Sequence, residues 1–191
     1  LHGFRVGTRR TWNPFIFAIG LSVLLLVLPQ FPTTEAGTFR VGWVQGNGPT
    51  GYFDDKAPGD VLDAQIAATS AVAGQPMDLL VWPEGGVDAD PIASADVAAA
   101  LDAVVQQAGA PLLMNAATAR EGNVYNTSLL WAGERPVNQL HDKVNPVPFG
   151  EYVPDRAFYE LIVPEMVGMI QRDYTPGTNP PLMFIGDVAI G

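Results

Sequence analysis

Asp78-Leu-Leu-Val-Trp-Pro-Glu84 is a continuous apolar run closed by a proline and followed at once by a carboxylate. An unbroken run of this length suits a strand buried on both faces, as in a sheet covered by helices. The proline has no N–H to give to a ladder, so the strand ends there. Glu84 then stands at the carboxyl end of the strand, where reacting side chains gather in α/β folds.

The segments on either side repeat this alternation. Upstream, Arg40-Val-Gly-Trp-Val-Gln45 predicts a first strand, stopped by Gly46-Asn-Gly-Pro49, and a long loop over 50–58 holds Tyr52 and Phe53. Residues 60–73 place Leu62, Ile66 and Ala73 on one face with Asp60 as the N-cap, which predicts a helix. Downstream, residues 94–108 carry Val97, Leu101, Val104, Val105 and Ala108 at helical spacing, with Gly109 ending the helix and Pro111 blocking continuation. Residues 111–117 and 124–131 predict a hairpin across Arg120-Glu-Gly-Asn123, and 136–144 a further strand. Pro146-Val-Pro-Phe-Gly150 interrupts regular structure, 155–171 leave room for a helix, and 182–185 and 188–191 predict strands joined by Gly186-Asp187. Strands and helices in alternation predict an α/β domain with a mostly buried sheet.

Composition removes several function classes. The sequence has 191 residues, 48% hydrophobic and 16% charged, too apolar for a disordered chain. It has no cysteine, so a disulfide framework, a thiolate metal site or a cysteine nucleophile cannot be built from these residues. His141 has no second ligand at metal spacing, and neither a metal nor a cofactor is expected. A net charge of −10 argues against a nucleic-acid partner.

The charge is unevenly placed. Residues 1–14 carry three Arg and no acid, whereas 37–191 carry seven basic and nineteen acidic groups. Between them runs the uncharged, apolar stretch 14–31. A secretory signal would end at small residues, but here the run ends at Leu28-Pro-Gln-Phe-Pro32. The stretch is therefore read as one retained transmembrane helix over 14–31, after a cytoplasmic basic segment over 1–13 and before a linker over 32–38. Arg5, Arg9 and Arg10 place its start in the cytoplasm and the following domain, 39–191, outside it. A first residue of Leu rather than Met, and a last strand that stops in mid-pattern, lead to the expectation of more chain at both ends.

Three residues carry candidate chemistry. Desolvation by Trp82 and Pro83 would raise the pKa of Glu84 and make it a general base. By position alone, a solvated loop acid is the stronger reading. Lys143 is one of only two lysines, with Lys56, and as a fixed ammonium at a strand end it would stabilise an oxyanion. The competing reading is a surface ion pair with Asp142 or Glu151. The segment Pro146-Val-Pro-Phe-Gly150 favours a fixed geometry: its prolines hold φ, Gly150 is expected to allow an unusual turn, and Glu151 is set relative to Lys143. Asn126-Thr-Ser128 matches a glycosylation sequon but is read as part of a strand.

Val44-Gln-Gly-Asn47, Leu80-Val-Trp-Pro-Glu84, Tyr125-Asn-Thr127, and Asp142-Lys143 followed by Val147-Pro-Phe-Gly-Glu-Tyr-Val-Pro154 occur in the order and spacing of one superfamily. The sequence resembles the nitrilase (carbon–nitrogen hydrolase) superfamily over residues 39–191. Within it, the last segment resembles the bacterial apolipoprotein N-acyltransferase family. The resemblance implies an α-β-β-α sandwich, incomplete at its C-terminus, borne outside the cytoplasmic membrane by a multi-pass membrane domain. It implies a Glu-Lys-Cys triad, with Glu84 as general base, Lys143 stabilising the tetrahedral intermediate, and Glu151 holding Lys143 and assisting proton transfer. The implied cysteine follows a strand resembling Val188-Ala-Ile-Gly191, where this sequence stops, so these residues alone are expected to be inactive. The implied reaction moves a fatty acyl group from phospholipid, through a thioester, to the diacylglyceryl-cysteine of an apolipoprotein. Tyr52 and Phe53, and the segment 158–170 with Leu161, Ile162, Val163, Met166, Val167 and Met169, are candidate lipid-facing elements; core packing is the other reading of Tyr52 and Phe53. Two alternatives stay open: an amidase of the same superfamily that releases the acyl group to water, and a non-catalytic module with the same fold.

Overall fold

A computed structural model describes residues 13–28, 34–49, 51, 55, 57–135, 137, 139–170 and 172–191. The chain divides into two compact units, residues 1–38 and 39–191.

In the first unit, helix α1 runs Pro14–Val27. Asn13 caps it, its side-chain oxygen accepting from Phe15 N at 3.0 Å, and Pro14 occupies the first helical position, where a missing N–H costs nothing. Every described side chain of α1 is exposed. Its 14 residues rise about 21 Å, against a hydrocarbon core of roughly 30 Å. No helix among the described residues is long and apolar enough to cross a membrane. The rest of the expected span, 29–31, lies outside the described residues.

The second unit is built on a five-stranded sheet in the order β1-β2-β3-β4-β5, with β1 at Val41–Trp43, β2 at Leu79–Val81, β3 at Leu112–Arg120, β4 at Asn123–Trp131 and β5 at Leu140–Asp142. β1, β2 and β3 are parallel; β4 and β5 continue antiparallel. The β3–β4 hairpin closes as the sequence predicts, with Arg120 opposite Asn123. The strand expected over 136–144 is confined to β5, and residues 136 and 138 lie outside the described residues.

Side chains alternate between two cores, as a pleated sheet requires. Leu80, Trp82, Leu112, Met114, Leu129 and Trp131 pack with Leu62, Ala98, Leu101 and Val104 from helices α2 (Asp60–Thr69) and α3 (Ala95–Ala108). Leu79, Leu130 and, partly, Val81 and Leu113 face the other way. They meet Met183, Ile185 and Ile190 of the hairpin β6 (Met183–Ile185) and β7 (Val188–Ile190). The layers are thus helices, mixed sheet and a second, two-stranded sheet. Two short helices, α4 (Arg156–Ile162) and α5 (Pro164–Met169), follow the proline-rich segment.

Helix ends depart from expectation at α2. Its N-cap is Gly59, in the left-handed region at φ 99°, and Asp60 instead accepts from Ala57 N at 2.7 Å. The orphan amides at this end are met by Asp88, 29 residues further on, which accepts from Gly59 N at 2.8 Å, Leu62 N at 3.3 Å and Val61 N at 3.4 Å. A single turn of 3-10 helix, Ser70–Val72, replaces the expected last turn. α3 conforms: Ser94 caps its start and Gly109, at φ 68°, its end.

Candidate active site

Glu84 follows β2 in a tight turn in which Gly86 N donates to Pro83 O at 3.1 Å. The third residue of that turn, Gly85, has φ 66°, a conformation that glycine adopts without a Cβ clash. Lys143 directly follows β5, and its backbone N–H extends the ladder to Asn126 O at 2.8 Å. Glu151 lies in the proline-rich turn, where its N–H donates to Val147 O at 2.8 Å and its C=O accepts from Tyr174 N at 2.8 Å. The left-handed residue of this turn is Phe149, at φ 60°, and not the expected Gly150. Phe149 packs edge-on against Tyr159 with ring centroids 5.0 Å apart, which holds an aromatic residue where its backbone is strained.

These three loops converge. Lys143 Nζ lies 3.1 Å from Glu84 Oε1 and 3.2 Å from the Glu151 carboxylate. Asn126, on β4, donates its side-chain amide to Glu84 Oε1 at 2.8 Å and to Glu151 Oε1 at 2.5 Å. Glu151 also accepts from Val147 N at 2.6 Å. The sequon asparagine is a strand residue, nearly buried, with its amide engaged in the site.

The electrostatics overturn one expectation. The Glu84 carboxyl is held below its usual range, first by the Asn126 amide and then by Lys143, which outweigh desolvation. The expected upward shift fails because Trp82 turns to the helix side of the sheet and donates its indole N–H to Thr69 Oγ1 at 3.0 Å. The Glu84 side chain is left 65% exposed. At Glu151, burial pushes the carboxyl up, but Val147 N–H, Asn126 and Lys143 together bring it below its usual range. Burial likewise opposes the charge on Lys143, yet the two carboxylates raise its pKa above the ordinary value.

Asp142 does not pair with Lys143, because adjacent strand residues point to opposite faces. It is buried on the helix side, where it accepts from Arg120 and from Thr127 Oγ1 at 2.7 Å. Of the lipid-facing candidates, Phe158, Leu161, Ile162, Met166 and Met169 are exposed, Val163 is half-buried, and Val167 is buried, a correction to its expected place. Tyr52 and Phe53 lie outside the described residues.

Glu84 borders three open cavities, two of which also reach Asn115 and Asn126. One, of about 590 Å³, is lined by Asn115, Asn126, Ser128, His141 and Lys143 over an apolar floor that includes Leu113. The other, of about 410 Å³, is lined by Pro58, Asp88, Arg172 and Tyr174. The sequence reading missed Asn115 and gave Asn126 no role. A signal was present: Leu112-Leu-Met-Asn-Ala116 places an asparagine, a poor strand former, within an apolar strand.

The architecture is that of the carbon–nitrogen hydrolases. The fold matches a CN-hydrolase superfamily protein from Xanthomonas campestris, whose structure holds an arsenic adduct in its active site (TM-score 0.54, 20% identity, 79% of this chain and 51% of that one). It also matches an amidase from Nesterenkonia sp., described with acrylamide added at its active-site cysteine (TM-score 0.51, 18% identity, 80% of this chain and 55% of that one).

Among curated proteins, the chain resembles apolipoprotein N-acyltransferases. It is 29% identical to that of Mycolicibacterium smegmatis over 196 residues, which cover 91% of this chain and 32% of the relative. It is 31% identical to that of Sinorhizobium fredii over 162 residues, 80% of this chain and 30% of the relative. The chain therefore spans about a third of the length of the curated relatives it matches. No family model matches it.

Proposed function

We propose that residues 39–191 are part of the catalytic domain of an apolipoprotein N-acyltransferase. The observation that carries this reading is the meeting of Glu84, Lys143 and Glu151 at one point, together with the resemblance to enzymes of that name. The reaction needs a cysteine thiol as nucleophile, a residue type that the 191 residues do not contain.

Glu84 takes the thiol proton, and the thiolate attacks an ester carbonyl of a phospholipid. The Lys143 ammonium faces the oxyanion, a placement worth on the order of 3 kcal/mol of barrier in comparable sites. Collapse breaks the C–O bond; the lysophospholipid leaves with the proton from Glu84, and the acyl group stays as a thioester. The α-amine of a diacylglyceryl-cysteine then loses a proton to Glu84 and attacks the thioester, and the thiolate departs and is reprotonated. Covalent catalysis divides one difficult transfer into two easier ones. A carboxylate ionised at neutral pH is ready to accept the first proton, and a lipid covering its exposed side raises its basicity by excluding water.

Residues 14–31 belong in this proposal as a retained membrane span of a multi-pass protein, with 1–13 cytoplasmic, 32–38 a linker and the catalytic domain extracytoplasmic. The exposed apolar residues of α4 and α5, with Tyr52 and Phe53, are the lipid-facing elements.

The test is to incubate the full-length protein with phospholipid, trap the thioester, and add a diacylated lipopeptide. Thioester followed by N-acylated lipopeptide supports the reading. Release of free fatty acid without transfer supports the amidase alternative, and no thioester at all supports the non-catalytic module.

A further inference from the structure

We propose that Asn115 is a positioning residue for Glu84: it locks the Asn126 amide with its N–H groups toward the two carboxylates and so leaves Glu84 Oε2 as the oxygen that accepts the proton. This inference rests on the acyl-transfer reading of the site.

The orientation of a primary amide is usually ambiguous, but here backbone groups fix it. Gly85 N–H, which can only donate, lies 2.8 Å from Asn115 Oδ1. Thr127 C=O, which can only accept, lies 3.1 Å from Asn115 Nδ2. Asn115 therefore has one permitted orientation, and its Nδ2 donates to Asn126 Oδ1 at 2.6 Å. That bond turns Asn126 Nδ2 outward, and its two hydrogens reach Glu84 Oε1 and Glu151 Oε1. The opposite orientation of Asn126 would aim its carbonyl oxygen at two carboxylates and set its Nδ2 against Asn115 Nδ2, donor against donor.

The relay also closes on itself. It starts at the amide of Gly85, the residue after Glu84, and ends at the Glu84 carboxylate. The side chain of Glu84 is thereby held relative to its own backbone, through two asparagines on neighbouring strands.

The two carboxylates differ as a result. Glu151 has both oxygens engaged, Oε1 by Asn126 and Lys143 and Oε2 by Val147 N–H. Glu84 receives Asn126 and Lys143 on Oε1 alone, and its Oε2 has no hydrogen-bond partner among the described residues. Glu84 can take a proton on Oε2 without losing a bond, whereas Glu151 cannot. Glu151 is an electrostatic anchor and not a second proton carrier.

The experiment is a pH–rate profile of thioester formation by the full-length protein, wild type against Asn115→Leu, which removes both amide functions without adding charge. With the lock gone, Asn126 ceases to hold its donors on Glu84. The acid limb then moves to higher pH by about half a unit to one unit, and the rate below the limb falls about three- to tenfold. A folded Asn115→Leu protein with the wild-type acid limb overturns the proposal. If that variant does not fold, as read by its thermal transition, Asn115→Ala is scored by the same criterion. If the wild type forms no thioester, the acyl-transfer reading has failed on its own, and a 13C NMR titration of the Glu84 carboxyl decides the relay. An Asn115 variant with a raised Glu84 pKa supports the relay, and an unchanged one sinks it.

Discussion

Lys143 Nζ and Glu84 Oε1 stand 3.1 Å apart although 59 residues separate them in the sequence. Their meeting depends on the β2–β3–β4–β5 order, because Glu84 leaves the sheet after β2 and Lys143 after β5. Glu151 approaches the same ammonium from the turn that follows, so one cation serves two anions. Two carboxylates this close repel each other when the cation is gone.

Replacing Lys143 by Met should therefore raise the pKa of both Glu84 and Glu151, as read by 13C carboxyl titration. The effect on stability has a defined pH window. Both carboxyl pKa values are lowered in the fold, so their contribution is present above the ordinary carboxylate range and lost as pH falls through the lowered values. The Lys143 pKa is raised, so its contribution is present below the ordinary lysine value and lost as pH rises through the raised one. The stability gap between wild type and Lys143→Met should be widest between about pH 5 and 10 and close on acidification. A gap independent of pH would show that the cluster does not titrate as a unit.

In thioester assays, Glu84→Gln should abolish both acylation and transfer, since each half-reaction needs the same base. Lys143→Ala should lose about a hundredfold in rate, the effect of one preorganised oxyanion partner. Lys56→Ala, the other lysine, is the control. If Lys143→Ala is folded and matches Lys56→Ala, Lys143 is only a surface ion pair.

Asp88→Ala should destabilise the domain by about 1 kcal/mol, the usual worth of a helix N-cap, because the first amides of α2 lose their acceptor. Asp60→Ala should cost less, since among the described residues Asp60 accepts a single bond, from Ala57 N. Chemical denaturation of the two variants side by side gives the ranking, and the reverse order would return the capping role to Asp60.

Gly177→Ala should be damaging although no catalytic role is assigned there. A Cβ at this position would collide with the backbone oxygen and Cβ of Asp142, while Gly177 N donates to Lys143 O at 3.0 Å. The strand end that carries Lys143 would have to move, at a cost of about 1–3 kcal/mol. Loss of thioester formation larger than the loss of stability is the expected pattern; wild-type values of both would contradict it.

A reporter fused after Thr33 of the full-length protein should be active only on the outer side of the membrane. Cytoplasmic activity would reverse the proposed topology, and release of the following residues as a free domain would favour a cleaved signal.

The sheet and its major helices were legible because burial leaves a periodic trace. The unbroken Leu79-Leu-Val81 run became β2, and the spacing of Leu101, Val104 and Ala108 became the buried face of α3. The Gln-Gly-Asn47 motif was visible, but its reason was not. A Cβ on Gly46 would sit 2.7 Å from the backbone of α2, and the Gly46 N–H donates to Gln65 Oε1 at 2.6 Å. Pairings that depend on remote neighbours or on tertiary packing are not written locally: Asp88 capping α2, the hydrogen bond from Asn115 to Asn126 (although Asn115 itself stands out within its apolar strand), and Phe149 taking the strained φ expected of Gly150. The pKa of Glu84 was misjudged for the same reason. Trp82 is only two residues away in sequence, yet it points to the helix side of the sheet.

The separation of Asp142 and Lys143 onto opposite faces makes the pairing of β5 with β4 self-checking. A slip of one residue would drive the Lys143 ammonium into the pocket of Arg120 and withdraw Asp142 from Thr127, setting two cations together in a buried space. The same slip would present a carboxylate to Glu84 and Glu151. A misaligned edge strand is thus penalised on both sides of the sheet at once, and only the chain that has aligned β5 correctly brings Lys143 to Glu84 and Glu151.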